Sequence, residues 1–435
     1  MNFSKSHMMN KKFNSLIPGG AHTYAKGDDQ YPETSLPYIT RGDGCHVWDA
    51  DGNEFIEYGM GLRAVTLGHA YRPVVEAAYR QMLKGTNFTR PSTIELECAE
   101  ELLSMIPGAE MVKFGKNGSD CTSGAITLSR AYTSRDMVAI CGDHPFFSVD
   151  GWFIGTTPMS SGIPQVVREL TLKFHYNDIE SLRSLFLQYP DQIACVIMEP
   201  EKDREPANNF LNEVQKLCRE NGAVFILDEM ITGFRWHNGG GQGFHNITPD
   251  LSTFGKALGN GFSVSALAGK REIMRLGGID HDRDRVFLLS LTHGAETHSL
   301  AAAIETMRIY KKEQVIDMLW KQGKRLADGI NRSIEEHKLT GFVDIIGRPC
   351  CLVYSTRDRE GRPSQPFRTL LLQETIKRGI LATSLVVSYT HTDADIDKTV
   401  EIFHDAFHVY RRALDEGIEK YLAGRPVKPV WRKKN

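Results

Sequence analysis

Ala223-Val-Phe-Ile-Leu-Asp228-Glu229 is an apolar run that stops on an acid, and Pro249-Asp-Leu-Ser-Thr-Phe-Gly-Lys256-Ala-Leu-Gly-Asn-Gly261 places a lysine among glycines 28 residues further on (256 − 228). The run has the length and composition of a buried strand, so Asp228 falls at a strand's carboxyl end. A lysine amine can form an imine with an aldehyde cofactor, and a carboxylate can hold a pyridine nitrogen protonated. Pyridoxal phosphate (PLP) needs both, because its ring accepts electrons only when that nitrogen is charged and the displaced lysine then moves the proton. Taken singly, a lysine between glycines is an ordinary solvated loop residue. The acid upstream is what gives Lys256 a chemical reading.

The segments around this pair alternate between short apolar runs and amphipathic stretches. Residues 111–114, 137–141, 193–198, 223–228 and 264–268 read as strands, and residues 120–132 and 210–220 as helices. Such alternation predicts an α/β fold with a mostly parallel sheet covered by helices on both faces. Ligands of such sheets bind beyond the carboxyl ends of the strands, which is where Asp228 and the turn Asn117-Gly-Ser119-Asp120 fall. From about residue 303 the rhythm changes. A long helical region with a break (300–338), two short strands (342–346 and 351–354), a helix at 367–378 and a closing helix at 393–414 predict a smaller α+β domain. Near the N-terminus, residues 38–41, 46–49 and 55–58 are spaced like an antiparallel meander turning at Gly42-Asp-Gly44 and Asp51-Gly52. The expected division is residues 1–75 packing with the small domain, 76–302 as the large domain and 303–435 as the small one.

Length and charge narrow the function. The chain has 435 residues, 41% of them hydrophobic, a net charge of −2 and a pI near 6.7, which gives no electrostatic case for nucleic acid or an acidic membrane. The basic tail from Arg425 reads as solvated. Eight cysteines without a CxxC pair are expected to be reduced and mostly buried, with no metal site. The chain has no leader-like N-terminus and no 18-residue apolar run, so a cytoplasmic setting is expected.

Other segments add chemistry. Lys116-Asn-Gly-Ser-Asp-Cys-Thr122 joins a strand to a helix start, where backbone N–H groups and Ser119 could cradle a phosphate or merely cap the helix. Glu199-Pro200 follows a strand, and Thr292-His-Gly-Ala-Glu-Thr297 opens a helix.

In this order the pieces resemble the class III aminotransferases of the fold type I PLP enzymes, on the side of the glutamate-1-semialdehyde 2,1-aminomutases. The resemblance runs from Ile17-Pro-Gly-Gly20 through Trp48-Asp-Ala-Asp-Gly-Asn53, Leu67-Gly-His-Ala70 and Arg130-Ala-Tyr-Thr-Ser-Arg135. Asp228-Glu-Met-Ile-Thr-Gly-Phe-Arg235 and Phe254-Gly-Lys-Ala-Leu-Gly259 are its most specific segments, and it ends near His391-Thr-Asp-Ala-Asp-Ile396. It implies that Lys256 is the Schiff-base lysine and that Asp228 pairs with the pyridine nitrogen. Met230 would lie under the ring, Gly118 and Ser119 would hold the phosphate, and Glu199 would belong to the cofactor site. Thr292 would reach the phosphate of the neighbouring subunit's cofactor, which implies a homodimer with shared active sites. Phe146 stands about where the family has a stacking tyrosine, with Phe147 and His144 as alternatives.

Three departures bear on the substrate. The family's phosphate turn, usually Ser-Gly-Thr-Glu-Ala, is Asn117-Gly-Ser-Asp-Cys121 here. Lys26 occupies the place of an arginine that binds the substrate carboxylate in the aminomutases, and an ammonium lacks the bidentate fork of a guanidinium. Gly59-Met-Gly-Leu-Arg63 brings in an arginine where the aminomutases have small residues and a tryptophan, so Lys26 and Arg63 are candidate substrate-binding residues. The leading expectation is an aminotransferase acting on a small-molecule amino donor and carbonyl acceptor. The runner-up is the aminomutase, which makes both transfers within one molecule. Decarboxylation or racemisation on the same scaffold, and a PLP-fold binding module without catalysis, complete the alternatives.

Overall fold

A computed structural model describes residues 1–434. In chain order the strands are β1 (Ile39–Asp43), β2 (His46–Asp49), β3 (Glu54–Glu57), β4 (Met111–Gly115), β5 (Met137–Cys141), β6 (Thr171–Phe174) and β7 (Ile193–Met198). They continue with β8 (Val224–Asp228), β9 (Leu251–Phe254), β10 (Ser265–Gly269), β11 (Val343–Ile346), β12 (Val353–Thr356) and β13 (Ile380–Leu381). The chain forms two compact units. One comprises residues 1–62, 66–71 and 317–435, the other residues 63–65 and 72–316.

The second unit is built on a seven-stranded sheet of order β4-β10-β9-β8-β7-β5-β6. β10 is antiparallel to β4 and β9, and the other neighbours are parallel, so β4, β7, β8 and β9 all end on one edge. Every residue of β7 and β8 is buried, as strands covered on both faces must be. Helix Phe210–Glu220 turns Phe210, Leu211, Val214, Leu217 and Cys218 onto this core. The strands read at 111–114, 137–141, 193–198, 223–228 and 264–268 correspond to β4, β5, β7, β8 and β10. β6 and β9 are additions that apolar runs did not announce. The unit extends through Ile316 rather than to residue 302, because the helix Thr297–Lys312 packs along helices Arg72–Met82 and Thr93–Leu103. An expected boundary at 302/303 would cut that helix.

The first unit joins both ends of the chain. β1, β2 and β3 form the expected antiparallel meander, and β13 adds to β3 in parallel. β11 and β12 form a separate hairpin. The break in the long helical region lies at Glu313, whose extended backbone (φ −107°, ψ 155°) separates Thr297–Lys312 from Val315–Glu336. The closing helix Asp393–Glu416 starts on a reciprocal cap: Thr392 Oγ1 accepts from the Asp395 N–H at 3.2 Å, and the Thr392 N–H donates to Asp395 Oδ2 at 2.9 Å. All eight cysteines are free and buried. Among the described residues no helix is long and apolar enough to cross a membrane.

Gly323, inside the helix Val315–Glu336, faces the turn Pro349–Cys351 so closely that a Cβ would stand 1.7 Å from the Pro349 carbonyl oxygen. Helix propensity alone favours Gly323→Ala by about 1 kcal/mol. Overpacking against a backbone carbonyl outweighs that gain, and the variant is expected to lose roughly 2 kcal/mol or more. Urea unfolding measures it; a more stable variant would show that the helix and turn separate freely.

Candidate active site

The carboxyl edge of the large sheet gathers the chemistry of the second unit. Asp228 closes β8, Glu199 follows β7, Gly255-Lys256 follows β9, and the turn 116–119 follows β4. Asp228 is buried at 3% exposure, and its Oδ1 accepts from the Met230 N–H (3.0 Å) and from Thr253 Oγ1 (3.1 Å). Burial pushes its carboxyl up to about 6, against the pull of Lys256 and these two donors. Lys256 is partly buried, and desolvation lowers its ammonium while Asp228 and Glu199 pull it back up. Its backbone is left-handed (φ +45°), a sparsely populated conformation for a side-chain-bearing residue that is concentrated at functional sites.

Met230 connects the lysine to the phosphate turn. A Cβ at Gly118 would meet Met230 Sδ at 2.9 Å, and one at Gly255 would meet the same sulfur at 2.7 Å. Both glycines are therefore spaces kept clear around one thioether. Gly118 and Ser119 begin the sixteen-residue helix Gly118–Thr133, whose leading N–H groups have no acceptor within the helix. Asp120 Oδ2 takes the N–H groups of Lys116 (2.9 Å) and Asn117 (2.7 Å), and Ser119 Oγ takes that of Val149 (3.1 Å). The donor set fits PLP: a helix N-terminus for a phosphate, a thioether floor, a buried acid for a ring nitrogen and an amine for an aldehyde.

The aromatic alternatives differ in what they already do. His144 is buried, its Nδ1 accepts the Glu199 N–H at 3.0 Å, and burial drives its imidazole down to about 3. Phe147 is buried edge-on against Phe153. Phe146 keeps 44% of its surface exposed, with one edge on Phe153.

Arg63 also lies among these groups. Residues 60–63 pass through four consecutive left-handed conformations (φ +42°, +58°, +58° and +69°). Three of them bear side chains, at a cost of about 1–2 kcal/mol each. The Arg63 carbonyl is held by Arg235 Nη2 at 2.8 Å, and the Arg63 charge acts on both Lys256 and Glu199. Its Nε is buried without a hydrogen-bond partner. Arg235, the end of the Gly-Phe-Arg segment, is fully buried and had no role assigned from sequence. Thr253 was likewise missed, since Leu-Ser-Thr-Phe looks like a loop. Its signal was the register: it pairs directly with Asp228.

Two further expected residues stand at the surface. Thr292 is exposed, in a segment tied down by Asn87 Nδ2 to its carbonyl (2.9 Å) and by an ion pair of Lys116 with Glu296. Lys26 ends a short turn (Tyr24–Lys26) of the first unit and is exposed. In that unit Cys45, His46 and Asp395 approach one another closely enough to hold an ion. Asp395 Oδ2 already accepts from Cys45 Sγ (3.5 Å) and from Thr392, and its Oδ1 meets His46 Nε2 at 3.1 Å, so the group serves as a helix cap.

The profile of the family described as aminotransferase class-III matches residues 28–407. A glutamate-1-semialdehyde 2,1-aminomutase of Acetivibrio thermocellus is 30% identical over 429 residues, covering 92% of this chain and 97% of that protein. One from Desulfitobacterium hafniense is 31% identical over 414 residues, covering 90% and 95%. Among solved structures, the PLP-bound FumI protein of Sphingopyxis sp. MTA144 is 26% identical and superposes with a TM-score of 0.87 over 95% of this chain and 98% of its own. An omega-transaminase from Sphaerobacter thermophilus is 25% identical with a TM-score of 0.82, over 94% and 100%. The fold is that of the fold type I PLP transferases.

The buried acids give the cofactor-free protein a pH-dependent stability. Glu199 and Glu229 are both pushed up to about 7 and Asp228 to about 6, in each case by burial first. A carboxyl raised in the folded state binds its proton more tightly there than in the unfolded chain. The stability it contributes is present below the ordinary carboxylate value and is lost as pH rises through about 6 to 7. The urea midpoint of the apoprotein should therefore fall between about pH 5 and pH 8, and less steeply in Glu199→Gln. Equal slopes in the two proteins would show that Glu199 does not titrate in this range.

Proposed function

We propose that this chain, which belongs to the class III aminotransferases and is a PLP-dependent enzyme, moves an amino group from an amino donor to a separate aldehyde or ketone acceptor. When bound, PLP supplies an aldehyde for amines and a protonated ring that accepts the electrons released when a carbon–hydrogen bond breaks. The chain's residues do the rest. Lys256 would hold the cofactor aldehyde through Nζ, and its amine would serve as the base that moves the substrate's proton. Desolvation aids this by favouring its neutral form. Asp228 keeps the ring nitrogen protonated, oriented by Met230 N–H and Thr253. Gly118, Ser119 and the helix behind them hold the phosphate. Met230 would pack against the ring, and Phe146, the aromatic side chain with surface to spare, would be free to stack on it.

Transfer between two molecules, rather than within one, is carried by a single observation: Arg63 stands in the field of Lys256 and Glu199 with a buried, unpartnered Nε. It would supply a cation for an anionic group of the substrate, and the bidentate arginine of the aminomutases is replaced in this sequence by Lys26. The aminomutase reading is favoured by the names of the 30% identical relatives. The test is direct. Purified enzyme should exchange amine with a panel of amino donors, seen as loss of the visible band of the lysine-bound cofactor, and should convert glutamate-1-semialdehyde to 5-aminolevulinate poorly. Efficient conversion would establish the aminomutase instead.

The enzyme is further proposed to be a homodimer with Thr292 serving the partner's phosphate site. Helix Arg72–Met82 buries Val74 and Ala78 but leaves Val75, Tyr79 and Met82 exposed, next to Leu83. Phe88, Leu96, Phe287 and Leu291 of the same unit are exposed as well. So many large apolar side chains open to water favour a covered interface. Chains carrying Lys256→Ala and chains carrying Thr292→Ala should each be nearly inactive. If Thr292 acts across the interface, a mixed dimer has one site with both lesions and one with neither. Equal mixing should then recover roughly a quarter of wild-type activity. Inactive variants that recover nothing despite subunit exchange would place Thr292 in its own subunit's site, and an active Thr292→Ala would place it outside both.

A further inference from the structure

Two buried acids flank Asp228 and are treated differently. Glu229 accepts from Thr232 Oγ1 and from the N–H groups of Gly241 (2.7 Å) and Gln242 (2.6 Å), so both oxygens are engaged. Glu199, 3% exposed, leaves Oε2 buried with no hydrogen bond from the protein. It follows β7 beside the end of β8, where Met198 pairs with Leu227. Its charged neighbours are Asp228 from β8, Lys256 after β9, Lys202 on its own loop and Arg63. His144 supports its backbone and is neutral over the working pH range. A buried polar atom without a partner is costly, and here two stand in one site with opposite character, Glu199 Oε2 and Arg63 Nε.

We propose that Glu199 is a specificity-determining residue that takes up a proton when an anionic group of the substrate binds Arg63. Before substrate arrives, with Lys256 engaged by the cofactor, the Glu199 carboxylate faces the cations of Arg63 and Lys202. An arriving carboxylate or phosphate adds a negative charge beside two carboxylates, and one of the three must yield. Asp228 is held ionised by two donors and, in the holoenzyme, by a ring nitrogen. Glu199 has no such donors on Oε2, and burial with Asp228 beside it already brings its titration to about 7. The balance is one carboxylate, one proton and one anion giving a carboxylic acid beside the bound anion, with Oε2 now able to donate a hydrogen bond. This rests on the reading of Arg63 as the substrate's anion contact, and the arms of the test keep the two apart.

The experiment is calorimetric titration of the PLP-loaded enzyme with two unreactive probes, glutarate and inorganic phosphate, in buffers of different ionisation enthalpy. At about pH 8 the wild type should take up between roughly half a proton and one proton per anion bound, and its affinity should fall as pH rises above 7, approaching tenfold per unit. Glu199→Gln should bind without proton uptake and with a flat pH dependence. Arg63→Ala should weaken binding at least tenfold. Preference for glutarate assigns a carboxylate substrate, preference for phosphate a phosphate ester, and equal binding a general oxyanion site. Proton uptake that persists in Glu199→Gln overturns the proposal, as does binding that needs Arg63 but takes up no proton; the latter leaves the Arg63 reading standing. Binding indifferent to Arg63→Ala, or no binding of either probe at tens of millimolar, overturns both. If the Glu199 variant does not fold, the wild-type slope with glutarate, which stays ionised above about pH 7, is decisive: a flat profile overturns the proposal.

Discussion

Asp228 and Lys256 meet at the buried edge of a sheet, where the attraction between them offsets part of what burial costs each ion. Desolvation is the larger influence on both, and the pair's attraction works against it. The surroundings follow from that balance. β8 must be apolar enough to bury its own acid. Thr253 on the neighbouring strand gives the acid a fixed donor. Met230 is buried, and Gly118 and Gly255 stand where its sulfur leaves no space for a Cβ. Every further charge near the pair needs its own compensation. Glu229 has three donors, whereas Glu199 has an oxygen left over.

Strain is concentrated close to the same place. Four left-handed residues in succession, three of them with side chains, are held where the Arg63 carbonyl meets the Arg235 guanidinium. A chain free to relax would leave that conformation. Its retention within the field of Lys256 fits a site in which stability is exchanged for the fixed position of one cation. The same contact draws two arginines together, which carbonyl-to-guanidinium bonding permits although their charges repel.

What the sequence disclosed depended on how local each feature is. β7 and β8 are continuous apolar runs, so these strands and the edge on which they end could be read directly. β9 could not, because Ser252 and Thr253 look like loop residues; their hydroxyls are taken up by Gln242 and Asp228, partners distant in sequence. The change of rhythm near residue 303 is real but marks no boundary, since the helix there completes a packing layer with residues 72–103. The two glycines around Met60 hint at unusual backbone, yet nothing in Gly-Met-Gly-Leu-Arg specifies a left-handed turn. The unpaired oxygen of Glu199 belongs to no segment; it arises only when several strand ends meet.

The eight cysteines lend themselves to a different use. Each is buried, three of them in the first unit (Cys45, Cys350 and Cys351) and five in the second. Burial also holds thiols such as Cys121, Cys141 and Cys195 up to about 12, so a thiolate is scarce at neutral pH. A thiol reagent therefore meets almost no target until the chain opens. Each half of the molecule carries its own internal clock: the order in which cysteine-containing peptides become labelled under mild denaturant would report which half loosens first, with no probe added to the protein.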